Sequence, residues 1–329
     1  MNNQTQLLVV DALCKSFELE TSPIKKLVAT VKGTGVESLL ALNRVSFAVN
    51  RGETLGILGE SGSGKSTLAR VLMGIYPPDA GAAFLGGKSL FEKSRSSRLE
   101  ILAKMQMVFQ DPFASLDPRM TIRQIITEPL KIHGRGKADE SFLVSALEEV
   151  GLDAAALDRY PTEFSGGQRQ RIGICRAMIL GPELIIADEA VSALDVSVQA
   201  QIIELLCRLR LDRKLSMIFI SHDVAVVRQI ADRIILLYKG HLVEEMSADC
   251  LLKDAAHPYT RRLLSAALYL REGTAQSTTE ARAEGRDSKG AGCCFRGQCP
   301  LNDSECSHPP ELKQLHPGHK VACHKIALS

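Results

Sequence analysis

Short apolar runs punctuate the chain: Leu55-Gly56-Ile57-Leu58, Leu184-Ile185-Ile186-Ala187, Met217 to Ser221 and Ile234 to Tyr238. Runs this short and this rich in branched residues predict buried core strands. Between them the period lengthens. Ser141 to Val150 suits an amphipathic helix closed by Gly151, Arg169 to Leu180 reads as helical, and a helix from Ser66 to about Met73 must stop before Tyr76-Pro77-Pro78. From about Leu7 to Phe84 the pattern is β-rich, with an insertion at Glu20 to Glu37 that ends in Gly33-Thr34-Gly35 and reads as a loop. Strands alternating with helices predict an α/β fold, with a helical region set into it between about Asp111 and Leu180.

The turn after the Leu55 run carries the most specific chemistry. Gly59-Glu60-Ser61-Gly62-Ser63-Gly64-Lys65-Ser66-Thr67 gives a strand end, a glycine-rich turn and a helix start in that order, the context a phosphate-binding P-loop requires. Glycines let successive backbone N–H groups approach phosphate oxygens, and the new helix directs its positive dipole end at the same anion. Lys65 adds a full charge and Ser66 a hydroxyl ligand for Mg2+. The Leu184 run then ends in Asp188 and Glu189: one carboxylate for the Mg2+ shell, the other beside an attacking water, where Glu189 is the expected general base. His222 follows the Met217 strand and is better placed to hold a γ-phosphate. Phe164-Ser165-Gly166-Gly167-Gln168 stands at a helix start and is a second phosphate-binding device. Two such cradles in one chain suggest that they serve different nucleotides, which a head-to-tail dimer permits.

In this order the motifs resemble those of the nucleotide-binding subunits of ABC transporters, over roughly residues 8 to 270. The resemblance implies an ABC-type P-loop ATPase core with an antiparallel β subdomain and an inserted helical subdomain, binding ATP and Mg2+. It implies that ATP is sandwiched between the P-loop of one subunit and the Ser165 to Gln168 signature of its partner. Gln110 would be the Q-loop residue, sensing the γ-phosphate, reaching Mg2+ and touching the membrane subunit. Ser192-Ala193-Leu194-Asp195 resembles the D-loop, with Asp195 at the dimer interface, and His222 the switch histidine. Phe17, in Leu13-Cys14-Lys15-Ser16-Phe17, matches the ring that stacks on adenine; a buried core ring is its alternative.

The tail narrows the branch. His257-Pro258-Tyr259-Thr260 before Arg261-Arg262-Leu263-Leu264, with Asp111-Pro112 and Ser115-Leu116-Asp117-Pro118-Arg119, is similar to the ATPases of oligopeptide and dipeptide importers. That resemblance implies a second, related ATP-binding subunit, two membrane permease subunits, an extracytoplasmic substrate-binding protein and a peripheral place on the cytoplasmic face of the inner membrane. Ala190 stands where most of the branch has proline and is similar to some nickel importers, so nickel or a metallophore is the alternative to peptides.

Composition changes this picture little until the C-terminus. At 329 residues with net charge +2, the chain can bury a full core and gives no electrostatic case for nucleic acid. No apolar stretch approaches the ~18 residues of a membrane span, and the polar start is no signal peptide. A soluble ABC protein or a metal or redox sensor are the remaining classes. After a nucleotide-binding domain to residue 240 and an extension over 241–270, the stretch 271–292 is polar and aperiodic and reads as a flexible linker. Five of the nine cysteines then fall within 293–329. In a reducing compartment they favour a metal over disulfides. The spacing Cys293-x5-Cys299-x6-Cys306-x16-Cys323 could wrap an iron–sulfur cubane, with zinc as the alternative, and resembles the cysteine motif of peptide-importer ATPases, where a [4Fe–4S] cluster is implied.

Overall fold

The computed structural model describes residues 6–18, 38–92, 94–111, 114–192, 194–272 and 292–326. The insertion at 20–37 and most of the polar stretch at 271–292 lie outside these residues. The first half runs β1 (Gln6–Glu18), β2 (Ser38–Asn50), β3 (Thr54–Leu58), α1 (Lys65–Leu72), β4 (Ala80–Leu85), β5 (Lys88–Ser89), α2 (Arg95–Lys104) and β6 (Met105–Val108). A helical region follows, with α3 (Ile122–Ile132), α4 (Glu140–Glu149) and α5 (Gly166–Met178). The rest comprises β7 (Leu184–Asp188), α6 (Val196–Arg213), β8 (Ser216–Ile220), α7 (Val224–Ile230), β9 (Arg233–Tyr238), β10 (His241–Ser247), α8 (Leu251–Asp254), α9 (Pro258–Glu272), β11 (Lys313–His316) and β12 (His319–Val321).

β1, β2, β4 and β5 form an antiparallel sheet, and the remaining strands form a second sheet in the order β11-β12-β10-β9-β3-β8-β7-β6. Its five strands from β9 to β6 are parallel, with Leu55 of β3 opposite Ile218 on one side and Arg233 on the other. Every position of β3, β7 and β8 is buried, as a sheet covered on both faces requires. The two-residue period divides their side chains. Ile57, Ile186, Ile218 and Ile220 pack toward α1 and the antiparallel sheet, whereas Ile185, Ala187, Met217 and Phe219 pack toward the helical region.

Local chemistry fixes the helix starts. Thr121 and Gln124 form a reciprocal capping box on α3, and Asp139 accepts the Phe142 N–H to begin α4. Gly151, at φ +75°, lets the chain leave α4 in the left-handed conformation.

Residues 292–326 are built onto this core. β12 pairs antiparallel with β10, setting Val321 opposite Glu244, and β11 pairs with β12. Glu244 is fully buried and accepts the Ala256 N–H at 2.7 Å, the His257 N–H at 3.2 Å and His319 Nε2 at 2.8 Å. Phe295 is buried with its ring centroid 5.3 Å from Tyr238 and 5.7 Å from Tyr259.

Candidate nucleotide site

β3 ends inside the core and hands the chain to a loop that closes on α1. Gly64, at φ +106°, precedes the helix, and a Cβ there would lie 2.4 Å from the Ala41 carbonyl oxygen. Only glycine fits. Lys65 is buried and donates to the carbonyls of Gly59 at 2.7 Å and Glu60 at 2.8 Å. Burial pushes its ammonium down, while Glu189, Asp188 and Glu60 pull it up. The loop residues Ser61, Gly62 and Thr67 complete this turn and helix start, with Thr67 inside α1.

Ser66 Oγ donates to Asp188 Oδ1 at 3.0 Å, joining the helix start to the end of β7. Burial is the largest influence on Asp188 and raises its carboxyl. Hard oxygens from a hydroxyl and a buried carboxylate fit Mg2+, whose charge would offset the desolvation of Asp188. Glu189 takes up φ +47°, and its N–H is held by the Ile220 carbonyl at 2.9 Å. Its carboxylate accepts Gln110 Nε2 at 2.9 Å and lies 3.4 Å from His222 Nδ1. Three residues separated by 79 and 33 positions along the chain therefore meet beside the Ser66–Asp188 pair.

The other expected site residues have local partners. Ser165 caps α5, its Oγ accepting the Gln168 N–H at 3.4 Å while its own N–H donates to Gln168 Oε1 at 3.0 Å. Gly166 is half-buried beside Leu194, and a Cβ on Gly167 would lie 2.4 Å from Val198 Cγ1, so α5 and α6 approach closely there. Among the described residues no hydrogen bond joins this motif to the P-loop of the same chain. Asp195 caps α6, accepting the Val198 N–H at 2.9 Å and Ser197 Oγ at 2.7 Å, which hold its carboxyl low. Phe17 is half-exposed on β1 and meets Tyr76 edge-on at 5.2 Å.

The cysteines converge without forming a cage. Cys293 N–H donates to the Cys306 carbonyl at 3.0 Å, and the thiols of Cys299 and Cys323 lie within electrostatic reach of Cys293 and Cys306. Burial raises both Cys299 and Cys323. Hydrogen bonds from Cys294 and then His257 hold the Cys293 thiol down. Among the described residues no three His, Cys, Asp or Glu side chains are set to hold a metal ion, so the expected tetrathiolate is not assembled here. One further feature has no local signal: Tyr259 and Arg262, from the tail, reach Glu60 of the P-loop. The pair Tyr259 and Arg262 recurs at helical spacing, but nothing in it names a partner some two hundred residues earlier.

A parallel sheet delivering a P-loop and a paired acid to one edge, with an inserted helical region, defines a P-loop ATPase of the cassette type. Residues 42–192 match the family described as ABC transporter, and residues 243–306 match the oligopeptide/dipeptide transporter C-terminal region. The chain is 44% identical over 292 residues to the putative oligopeptide transport ATP-binding protein YkfD of Bacillus subtilis (strain 168), covering 86% of this chain and 89% of that one. It is 42% identical over 330 residues to the oligopeptide transport ATP-binding protein AppF of the same organism, covering 98% of each. Among solved structures, the dimeric post-hydrolysis state of the ATP-binding cassette MJ0796 with ADP and Pi superposes with a TM-score of 0.62 at 26% identity, over 73% of this chain and 98% of that one. This chain belongs to the ATP-binding subunits of ABC transporters and is an ABC ATPase. Among the described residues no helix is long and apolar enough to cross a membrane.

Proposed function

We propose that the chain hydrolyses ATP to power uptake of di- or oligopeptides through separate membrane permease subunits, held peripherally at the cytoplasmic face of the membrane. The observation that carries it is the meeting of Gln110, Glu189 and His222 beside the Ser66–Asp188 pair, in a chain whose 243–306 stretch matches the peptide-transporter C-terminal region. The relatives carry peptide-transport names, which favours peptides over nickel despite Ala190.

Backbone amides of Gly62 to Thr67 and the Lys65 ammonium would bind the phosphates. Ser66 and Asp188, with Gln110, would hold Mg2+, which when bound neutralises charge on the β- and γ-phosphates. Glu189 orients and deprotonates the attacking water, Gln110 and His222 fix its carboxylate, and Phe17 with Tyr76 supports adenine. Ser165 to Gln168 and Asp195 serve the nucleotide of a partner subunit, a related second chain; the exposure of Ser165, Gln168 and Asp195 at helix starts and the dimeric MJ0796 structure support the shared site.

Glu189→Gln tests this reading. Loss of a general base lowers turnover by about 10²- to 10⁴-fold, and the variant is expected to accumulate as an ATP-loaded dimer. Turnover within about tenfold of wild type would remove Glu189 from the role. In proteoliposomes with the permeases, stimulation by peptide-loaded binding protein supports the substrate assignment, and stimulation by Ni2+ alone overturns it.

For the C-terminal cysteines we propose a [4Fe–4S] cluster on Cys293, Cys299, Cys306 and Cys323. The donor set fits in kind, but the thiols do not stand at ligand spacing in this structure. Iron and acid-labile sulfide near four per chain in anaerobic protein would support it; colourless protein with stoichiometric zinc would not.

A further inference from the structure

Glu60, the second residue of the P-loop sequence, is held at each of its polar groups. Its N–H donates to Tyr259 Oη at 2.9 Å, its carbonyl accepts from Lys65 Nζ at 2.8 Å and from the Ser63 N–H at 3.1 Å, and its carboxylate accepts Arg262 Nη2 at 2.8 Å. Tyr259 is wholly buried, and its ring packs 4.6 Å from Tyr238 and 5.7 Å from Phe295. The Arg262 guanidinium lies 4.9 Å over Phe295 and also donates to Gln298 Oε1, which accepts Tyr238 Oη at 3.3 Å. Residues 259 and 262 are neighbours on one face of α9. That face touches the nucleotide loop on one side and the cysteine-rich segment on the other.

Packing alone does not account for this arrangement. A phenylalanine would fill the aromatic cluster as well as Tyr259 does, but only the hydroxyl gives the part-buried Glu60 N–H a partner. Lys65 is itself a temporary support. When its ammonium turns from the Gly59 and Glu60 carbonyls to the β- and γ-phosphates, those bonds break. The Glu60 carbonyl then keeps the Ser63 N–H, a bond inside the loop, and Tyr259 and Arg262 tie Glu60 to a segment outside it, so the placing of the loaded loop depends on them.

We infer that Tyr259 and Arg262 are positioning residues for the nucleotide loop and that, through them, nucleotide binding and the packing of residues 292–326 are coupled. The inference rests on Gly59 to Thr67 being the phosphate site. Coupling of this kind is reciprocal: a segment that steadies the loop is itself steadied by the nucleotide.

Two measurements on the full chain test it. In steady-state hydrolysis, Tyr259→Phe and Arg262→Ala are expected to raise KM for MgATP about tenfold with kcat within about twofold, because the loop loses order rather than its reacting groups. Tyr259→Phe keeps the ring and its packing, so a folding defect in Arg262→Ala leaves the first variant decisive. In the Glu189→Gln background, MgATP is expected to slow amide exchange across residues 293–299 several-fold, and adding Tyr259→Phe is expected to abolish that difference. Unchanged KM in Tyr259→Phe, or exchange at 293–299 that ignores MgATP, overturns the inference; so does a fall in kcat at constant KM. Lys65→Ala separates the two levels of the argument: wild-type MgATP affinity in that variant would instead refute the phosphate site itself.

Discussion

Replacing Glu244 by glutamine separates the charge of a buried carboxylate from its shape. The carboxylate receives two backbone N–H groups, from Ala256 and His257, and the ring N–H of His319, so it ties β10 to the turn before α9 and to β12. An amide of the same size has one acceptor oxygen in place of two. If that oxygen keeps Ala256 and His319, the new NH2 faces the His257 N–H, donor against donor. One unpaired buried donor costs about 1–3 kcal/mol, and the surviving bonds fall from charge-assisted to neutral strength. A loss of about 3 kcal/mol is expected, roughly a hundredfold in a local opening equilibrium. The place to look is the edge of the sheet, because a chain of this size need not unfold in one step. The Ala322 N–H, bonded to the Val243 carbonyl at 2.9 Å, reports β12 directly. Hydrogen exchange in the peptide containing Ala322 should accelerate by about that factor while peptides from β3 and β8 keep their protection. Wild-type exchange at Ala322 would show that the carboxylate charge contributes nothing to holding this strand.

Gly64→Ala introduces a Cβ 2.4 Å from the Ala41 carbonyl at φ +106°; about 3 kcal/mol of destabilisation and loss of saturable binding of a fluorescent ATP analogue are expected. Gly167→Ala should destabilise α5 against α6 by about 2 kcal/mol in urea unfolding, since its Cβ falls 2.4 Å from Val198 Cγ1, and Val198→Ala should restore most of the loss. The Asp79 carboxyl is held at about 2, first by Ser16 Oγ and then by Lys15, below its ordinary 3.8. A depressed carboxyl stabilises above its unfolded value, so the small deficit of Asp79→Asn at neutral pH should vanish as pH falls from 3.8 through about 2; a deficit that persists in acid would exclude the carboxylate as its source.

The parallel strands were legible because each is a short apolar run between breakers, and the expected Met217 to Ser221 and Ile234 to Tyr238 lie within a residue of the observed β8 and β9. The P-loop and the acidic end of β7 were legible for the same reason: their chemistry sits within a few consecutive residues. β10 was not. Its His241-Leu242-Val243-Glu244-Glu245 places two acids together at the end of a short apolar pair, and both are buried. Glu245 is neutralised by Arg233 and Lys320 and Glu244 bonded to His319, partners up to 75 residues away that no local pattern announces. Ser165 and Asp195 illustrate a different limit. Within one chain they are helix caps with satisfied side chains, and a cap and a ligand for a partner's nucleotide use the same residue types at the same position.

The strained backbone at Glu189 follows from what β7 has to deliver. Along an extended strand successive side chains point to opposite faces, so two adjacent acids cannot both serve one site. Asp188 ends the strand in regular geometry, its carboxylate on Ser66. Leaving the extended conformation at the next residue turns Glu189 back toward the same side, and φ +47° is the observed departure. For a residue other than glycine that conformation costs about 1–2 kcal/mol. Its N–H on the Ile220 carbonyl, together with Gln110 and His222 on its carboxylate, holds the turn against that strain. A residue better suited to the angle, such as glycine, would relieve the backbone and remove the carboxylate that the turn exists to present. The strain is therefore a consequence of turning two adjacent carboxylates, the proposed Mg2+ ligand and the proposed general base, toward one site, and the neighbours that hold it are the same side chains that would meet the γ-phosphate.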